Sequence, residues 1–200
     1  MSKVSLKQNN KKSLVLASSS PQRLHLLKQI GIIPDKIEPA NLAEKIFLKE
    51  KPQEYVLRIS KEKANVVSKR NAQSFIIACD TVVTLGRRIL GKPGNKEEAE
   101  KFLMMLSGRR HKVLSAVTLI TPENKEISKI SITVIKFSRL SKLDLENYIK
   151  SNEWKGRAGG YAIQGLAASF IPWIKGSYSS VVGLPITDIK NMLLSSGWKT

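Results

Sequence analysis

At 200 residues and 42% hydrophobic content, the chain is long enough for one sizeable core or two small lobes that share a sheet. No run approaches the roughly 20 apolar residues of a membrane span, and the lysine-rich start is not followed by the apolar stretch of a cleaved leader, so the expectation is a cytoplasmic protein with no membrane partner. The 34 Lys and Arg against 16 Asp and Glu give a formal charge of +18, which favours anionic partners, while the single Cys79 excludes an internal disulfide and, set in an apolar run, reads as a buried and inert thiol.

In chain order, residues 1–12 read as a flexible basic tail, and 13–200 as a single domain with two lobes. Leu14, Val15 and Leu16 lead into Ser18, Ser19 and Ser20, and Pro21 then opens a segment with Leu24, Leu27 and Ile30 at helical spacing. That pattern predicts strand, turn, helix. Ser20 before a proline at the first helical position is a helix-start signal, because its hydroxyl can accept from an orphan amide while proline has no amide hydrogen to lose. The helix start directs free N–H groups at the turn, with Arg23 one turn in. This describes an anion site or an ordinary capped unit with a solvated arginine.

Residues 32–43 carry Pro34 and Pro39 and read as irregular or edge-strand structure, and Glu44 follows in the same connection. From Pro52, Tyr55, Val56, Ile59, Ala64, Val66 and Val67 mark a helix to about Ser68, with Arg58 and Lys63 on or near its polar side. Phe75 to Cys79 reads as a strand buried on both faces, which Asp80 ends. Gly86 to Arg88 turns the chain back through Ile89 and Leu90 to deliver Gly91-Lys92-Pro93. A helix starts at Asn95 or Lys96 and stops at Ser107-Gly108. His111–Thr121 and Ile127–Phe137 read as an antiparallel pair, and Ser141–Ser151 as a short helix. The glycine-rich stretch Gly156–Gly165 follows, then a strand over Phe170-Ile171 and Trp173-Ile174, and a helix over Thr187–Leu194. The order predicts an α/β core sheet with a subsidiary lobe.

Asp80 is the side chain most in need of explanation, since a carboxylate at the end of an apolar run must meet a cation or a metal unless it caps the next turn. With Glu44 as a second oxygen donor it suits Mg²⁺ or Mn²⁺, which takes one or two carboxylates plus substrate phosphate oxygens. Lys92, Arg23 and Lys63 would supply charge to a polyphosphate. His25 and His111 have no metal-ligand partner at useful spacing, which excludes zinc and a serine–histidine triad. Gly156, Gly159, Gly160 and Gly165 match neither the dinucleotide nor the P-loop spacing and read as a loop needing positive φ and close packing. Gln164 within that loop offers a paired donor and acceptor suited to a base edge.

Seven blocks in order, LASSSPQRLHLL, RISKEKA, ACDTVV, GKP, LSGRRHKV, AGGYAIQG and GSYSSVVGLPI, resemble the Maf (septum-formation-inhibitor-like) nucleoside triphosphate pyrophosphatases over Leu14 to Leu194. The resemblance implies a two-lobed Maf/ITPase-like α/β fold, with a mixed central sheet, a subsidiary antiparallel lobe and a nucleotide cleft between them. It also implies a homodimer, and a hydrolase that cuts between the α- and β-phosphates with a divalent metal. By motif, Ser18 and Arg23 fall on the phosphate-contacting turn, Lys63 on the helix lysine, Asp80 on the acidic residue treated as base or metal ligand, and Lys92 on the GKP lysine. Thr81 and Gln164 fall on positions linked to base choice, and the DT pair with the IQG block resembles the dTTP/UTP branch. Two positions depart from that pattern: Gln22 stands where the pyrimidine branch often has arginine, and Ala43-Glu44 where two adjacent acids are common. The alternative from another class is a basic nucleic-acid-binding or cell-division regulatory protein without hydrolysis.

Overall fold

The computed structural model describes residues 12–199. In chain order its elements are β1 (Leu14–Leu16), α1 (Pro21–Gln29), β2 (Lys36–Ile37), α2 (Pro52–Ser68), β3 (Phe75–Leu85), β4 (Arg88–Leu90), α3 (Lys96–Leu106), β5 (Arg110–Ile120), β6 (Glu126–Lys136), α4 (Lys142–Lys150), two short 3-10 turns (Ala158–Gly160 and Leu166–Phe170), β7 (Trp173–Lys175), α5 (Tyr178–Val182) and α6 (Ile186–Ser195). The tail expected over residues 1–12 lies outside the described residues except for Lys12, whose ammonium pairs with Glu123. Among the described residues no helix is long and apolar enough to cross a membrane.

One mixed sheet of seven strands holds the molecule together, in the order β2-β1-β3-β5-β6-β7, with β4 also on β3. The parallel part, β2-β1-β3, is connected through α1 and α2, and the rest is antiparallel and connected by hairpins or returns. β1 pairs with β3 over Phe75 to Ile77, and β4 pairs with the same edge over Val83 to Leu85. Between them no strand among the described residues covers that edge of β3. The gap falls on Asp80 and Thr81.

Alternation along β3 decides which way each of these points. Phe75, Ile77 and Cys79 pack with Leu14, Leu16, Leu26, Leu27, Ile189 and Leu193 on the face covered by α1 and α6. Ile76, Ala78 and Val82 pack on the other face, against Ala64, Val67, Val56 and Ile59 of α2. Asp80 therefore faces α2, and Thr81 faces away from it. The expectation that Asp80 ends the strand is corrected here: Thr81 to Thr84 pair with Ser115 to Lys112 of β5, so the strand runs on through Leu85. Threonine and valine favour the pleated ladder, and the central strand continues through the charge.

The far halves of β3, β5 and β6 form a second packing centre with α3 and α4, built on Leu90, Phe102, Leu103, Leu106, Ile135, Phe137, Tyr148 and Tyr161. This is the subsidiary antiparallel lobe. Two further expectations are corrected in this region. Phe170 ends a 3-10 turn, so β7 begins only at Trp173, and the sequence reading had no counterpart for α5, whose five residues are too few to show a helical period.

The glycine-rich stretch does what close packing demands. Gly156, Gly159 and Gly160 all have positive φ, and a Cβ on Gly159 would stand 2.8 Å from the Val83 Cβ. The Gly159 N–H donates to the Gly91 carbonyl at 2.9 Å, which ties this loop to the one carrying Lys92. Gly159→Ala is expected to cost about 2 kcal/mol in stability through overpacking and backbone strain, measurable as a lower urea midpoint at unchanged slope.

His111 has a different outcome from a ligand. It is buried between Phe137 and Tyr161, its Nε2 lies 2.7 Å from the Tyr161 hydroxyl, and its Nδ1 has no partner among the described residues. Burial lowers its pKa to about 4, from the usual 6.5. The folded state thus refuses a proton that the unfolded chain accepts. The stability present above pH 6.5 is expected to fall progressively to pH 4 by about 3 kcal/mol, and His111→Phe should remove that part of the pH slope in denaturant titrations.

Candidate active site

At the gap in the sheet edge lies a cleft of about 640 Å³, walled by the turn from Ala17 to Ser20, the start of α1, the Pro39–Glu44 connection, Lys92, the stretch from Lys155 to Gln164 and the end of α5. Eight of the nine residues singled out from the sequence line it: Ser18, Gln22, Arg23, Glu44, Lys63, Thr81, Lys92 and Gln164. Asp80, the ninth, sits directly behind Lys63.

The turn after β1 and the start of α1 form the first wall. Arg23 Nε donates to the Gly183 carbonyl at 2.9 Å and Nη1 to Ser18 Oγ at 3.0 Å, which spreads the guanidinium across the cleft floor. Ser18 Oγ also accepts the Ser20 N–H at 3.2 Å, so its own proton remains for a ligand. The expected Ser20 cap is corrected. Its hydroxyl donates to Gln22 Oε1 at 3.1 Å and accepts no capping bond from the first turn of α1. The first N–H groups of α1 are therefore left to face an anion.

Opposite, Lys63 lies between two carboxylates, 2.7 Å from Glu44 Oε1 and 2.7 Å from Asp80 Oδ1. The side chains of Lys63 and Asp80 are only 12% and 6% exposed, so the pair is largely removed from water. The polar-side placement of Lys63 is corrected. Val56, Ser60, Lys63 and Val67 recur at helical spacing on the buried face of α2, where the lysine reaches the charge that the sheet cannot solvate. Glu44 is held in place from below. Arg58 pairs with Glu50 at 2.6 Å and donates to the Lys45 carbonyl at 2.8 Å, with its guanidinium over the Phe47 ring. Burial pushes the Glu44 carboxyl up, but the Lys63 hydrogen bond and the charges of Lys63, Lys92 and Arg23 outweigh it and hold the group below the usual range. All three cations thus act on one spot.

The family model described as Maf-like protein matches residues 13–196. The chain belongs to the Maf-like protein family. A dTTP/UTP pyrophosphatase of Zymomonas mobilis is 47% identical over 186 residues, covering 93% of this chain and 92% of that one. A dTTP/UTP pyrophosphatase of Caulobacter vibrioides is 45% identical over 187 residues, covering 94% and 97%. Among solved structures, a nucleoside-triphosphatase, dITP/XTP pyrophosphatase, of Mycobacterium abscessus shares 18% identity over 64% of this chain and 74% of that one, with a TM-score of 0.40.

The Maf-like cleft offers two kinds of chemistry. Its lining mixes the charged or polar side chains of Ser18, Arg23, Glu44, Lys63, Lys92, Thr81 and Gln164 with the apolar ones of Val83, Val113, Ile163, Val181 and Val182, and the Gly183 carbonyl brings Thr81 close to Arg23. Sequence reasoning missed Lys155 and Arg157 at the rim, although Arg157 stands inside the glycine-rich block. It also missed the Gly183 carbonyl, which gathers Arg23 Nε and, at 3.1 Å, the Cys79 thiol. A backbone oxygen leaves no mark in a sequence.

The donor set fits a divalent cation that arrives with its phosphates. No group of three or more His, Cys, Asp or Glu converges among the described residues, so an all-protein cage is absent from them. Glu44 and Asp80 each spend one oxygen on Lys63, and their second oxygens accept no hydrogen bond among the described residues. One or two carboxylates with substrate oxygens is the set Mg²⁺ prefers.

Proposed function

We propose that this Maf-like chain is a nucleoside triphosphate pyrophosphatase that hydrolyses dTTP and UTP to the monophosphate and pyrophosphate. The observation that carries the reading is the meeting of Arg23, Lys63 and Lys92 with Glu44 and Asp80 at a single break in the sheet edge. The names of the relatives support it.

Ser18, the start of α1, Arg23 and Lys92 bind the polyphosphate and offset the charge that grows on the leaving pyrophosphate. The apolar side chains of the lining take the base, which Thr81 and Gln164 read at its edge. Lys63 pairs with Asp80 in a poorly hydrated position, and Asp80 takes the proton of the attacking water or holds the metal. Glu44 and Asp80 would hold Mg²⁺ or Mn²⁺, which when bound neutralises phosphate charge and polarises the α-phosphate.

The test is a panel of nucleoside triphosphates with Mg²⁺ or Mn²⁺, quantifying pyrophosphate and monophosphate together. Equal amounts of both, greatest from dTTP and UTP, support the reading. Inorganic phosphate with a diphosphate product would refute it, and so would no turnover combined with salt-sensitive binding of nucleic acid. The same reading carries a cytoplasmic homodimer, which sedimentation tests directly.

A further inference from the structure

Beneath the cleft, buried hydroxyls form a chain with a fixed direction. Ser115 Oγ donates to the Ser180 carbonyl at 2.6 Å and lies 2.9 Å from Thr81 Oγ1. Ser115 and Ser180 are both fully buried. The Ser180 carbonyl takes no backbone N–H from the α5 turn, where the Gly183 and Leu184 amides both go to Ser179, so Ser115 is its only donor among the described residues. An orphaned buried carbonyl is costly, and this commits the single Ser115 proton.

Ser115 can then only accept from Thr81, and the Thr81 proton is committed in turn. The competing acceptor, the Gly183 carbonyl, is 3.5 Å from Thr81 and already receives Arg23 Nε at 2.9 Å and Cys79 Sγ at 3.1 Å. Both of its lone pairs are in use. Thr81 lines the cleft, so what it shows a ligand is an oxygen that accepts and does not donate.

We propose that Ser115 is a positioning residue for base choice: by locking the Thr81 hydroxyl as an acceptor, it selects a base whose edge donates an N–H there. The imide N–H of uracil and thymine does so, whereas cytosine carries a lone pair on the same ring nitrogen. The inference rests on the reading of the cleft as a triphosphate site, and adds to it a residue that touches no substrate.

The experiment measures kcat and KM for UTP and CTP, by pyrophosphate release, in wild type, Ser115→Ala and Thr81→Val. Ser115→Ala frees the Thr81 proton to rotate toward the ligand. The expected result is a fall of up to about tenfold in the UTP over CTP ratio of kcat/KM, carried by a lower KM for CTP, because the freed Thr81 proton gains one neutral hydrogen bond to CTP while the Thr81 oxygen can still accept from UTP. Thr81→Val should lower kcat/KM for UTP alone. A packing role would instead weaken both substrates equally, and that outcome overturns the proposal, as does a ratio within twofold of wild type. If Ser115→Ala does not fold, Ser115→Cys takes its place, since a thiol of similar volume is a weaker donor to the Ser180 carbonyl and loosens the same lock, and it is expected to move the ratio in the same direction. A wild type that releases pyrophosphate from neither substrate overturns the pyrophosphatase reading and this one with it, whereas an active enzyme with an unchanged ratio overturns this one alone.

Discussion

Asp80→Asn is expected to lower pyrophosphate release from dTTP and UTP by at least about 100-fold while the chain stays folded. The two side chains have the same shape, so the core around Ala78 and Val82 is undisturbed. Asn can turn its carbonyl oxygen to Lys63 and keep the 2.7 Å contact, and Lys63 retains its pair with Glu44. What the variant lacks is a second oxygen able to take a proton or carry negative charge toward the phosphates. Turnover with circular dichroism on the same preparation measures both parts of the expectation. A folded variant that works within a few-fold of wild type would remove Asp80 from the chemistry.

Lys63→Met is expected to lose both activity and stability. Methionine fills the lysine's apolar stem but leaves the carboxylate of Asp80, a residue 4% exposed, without its only hydrogen-bond partner among the described residues. Breaking a buried pair by removing one partner costs about 3 kcal/mol, because the remaining carboxylate is left desolvated and uncompensated. Turnover should fall on the order of 100-fold, as for loss of a preorganised electrostatic contact. The double variant Lys63→Met with Asp80→Asn separates the two effects. With no charge left to strand, it should regain most of the stability and none of the activity. Urea midpoints equal for the single and double variants would show that the pair is not desolvated enough to matter.

Several elements were legible because their signals are local. The boundaries of α2 and α3 follow from Pro52, from Asn95, which accepts the Glu98 N–H at 2.8 Å, and from Ser107-Gly108. The β5–β6 hairpin follows from alternating residues around a turn. Eight of the nine site residues reach the cleft and the ninth backs it, because the motif blocks carry them in order. The errors have a common cause. Ser20 as a cap, Asp80 as a strand end and Lys63 on a polar face were each read from the residue type, and in each case a partner distant in sequence or a neighbouring side chain overruled it.

Spacing, capping and motif order are written residue by residue, so most elements in their order, the family and the identity of the charged groups could be read along the chain, while α5 could not. How these groups combine depends on the folded arrangement. The stopping of β1 before β4 begins opens the edge of β3 at Asp80, and the pleat sends Asp80 to Lys63 and Thr81 to Ser115. Strand register and the direction of a hydroxyl proton depend on partners far apart in the chain, such as Ser115 and Ser180, and no local pattern records them.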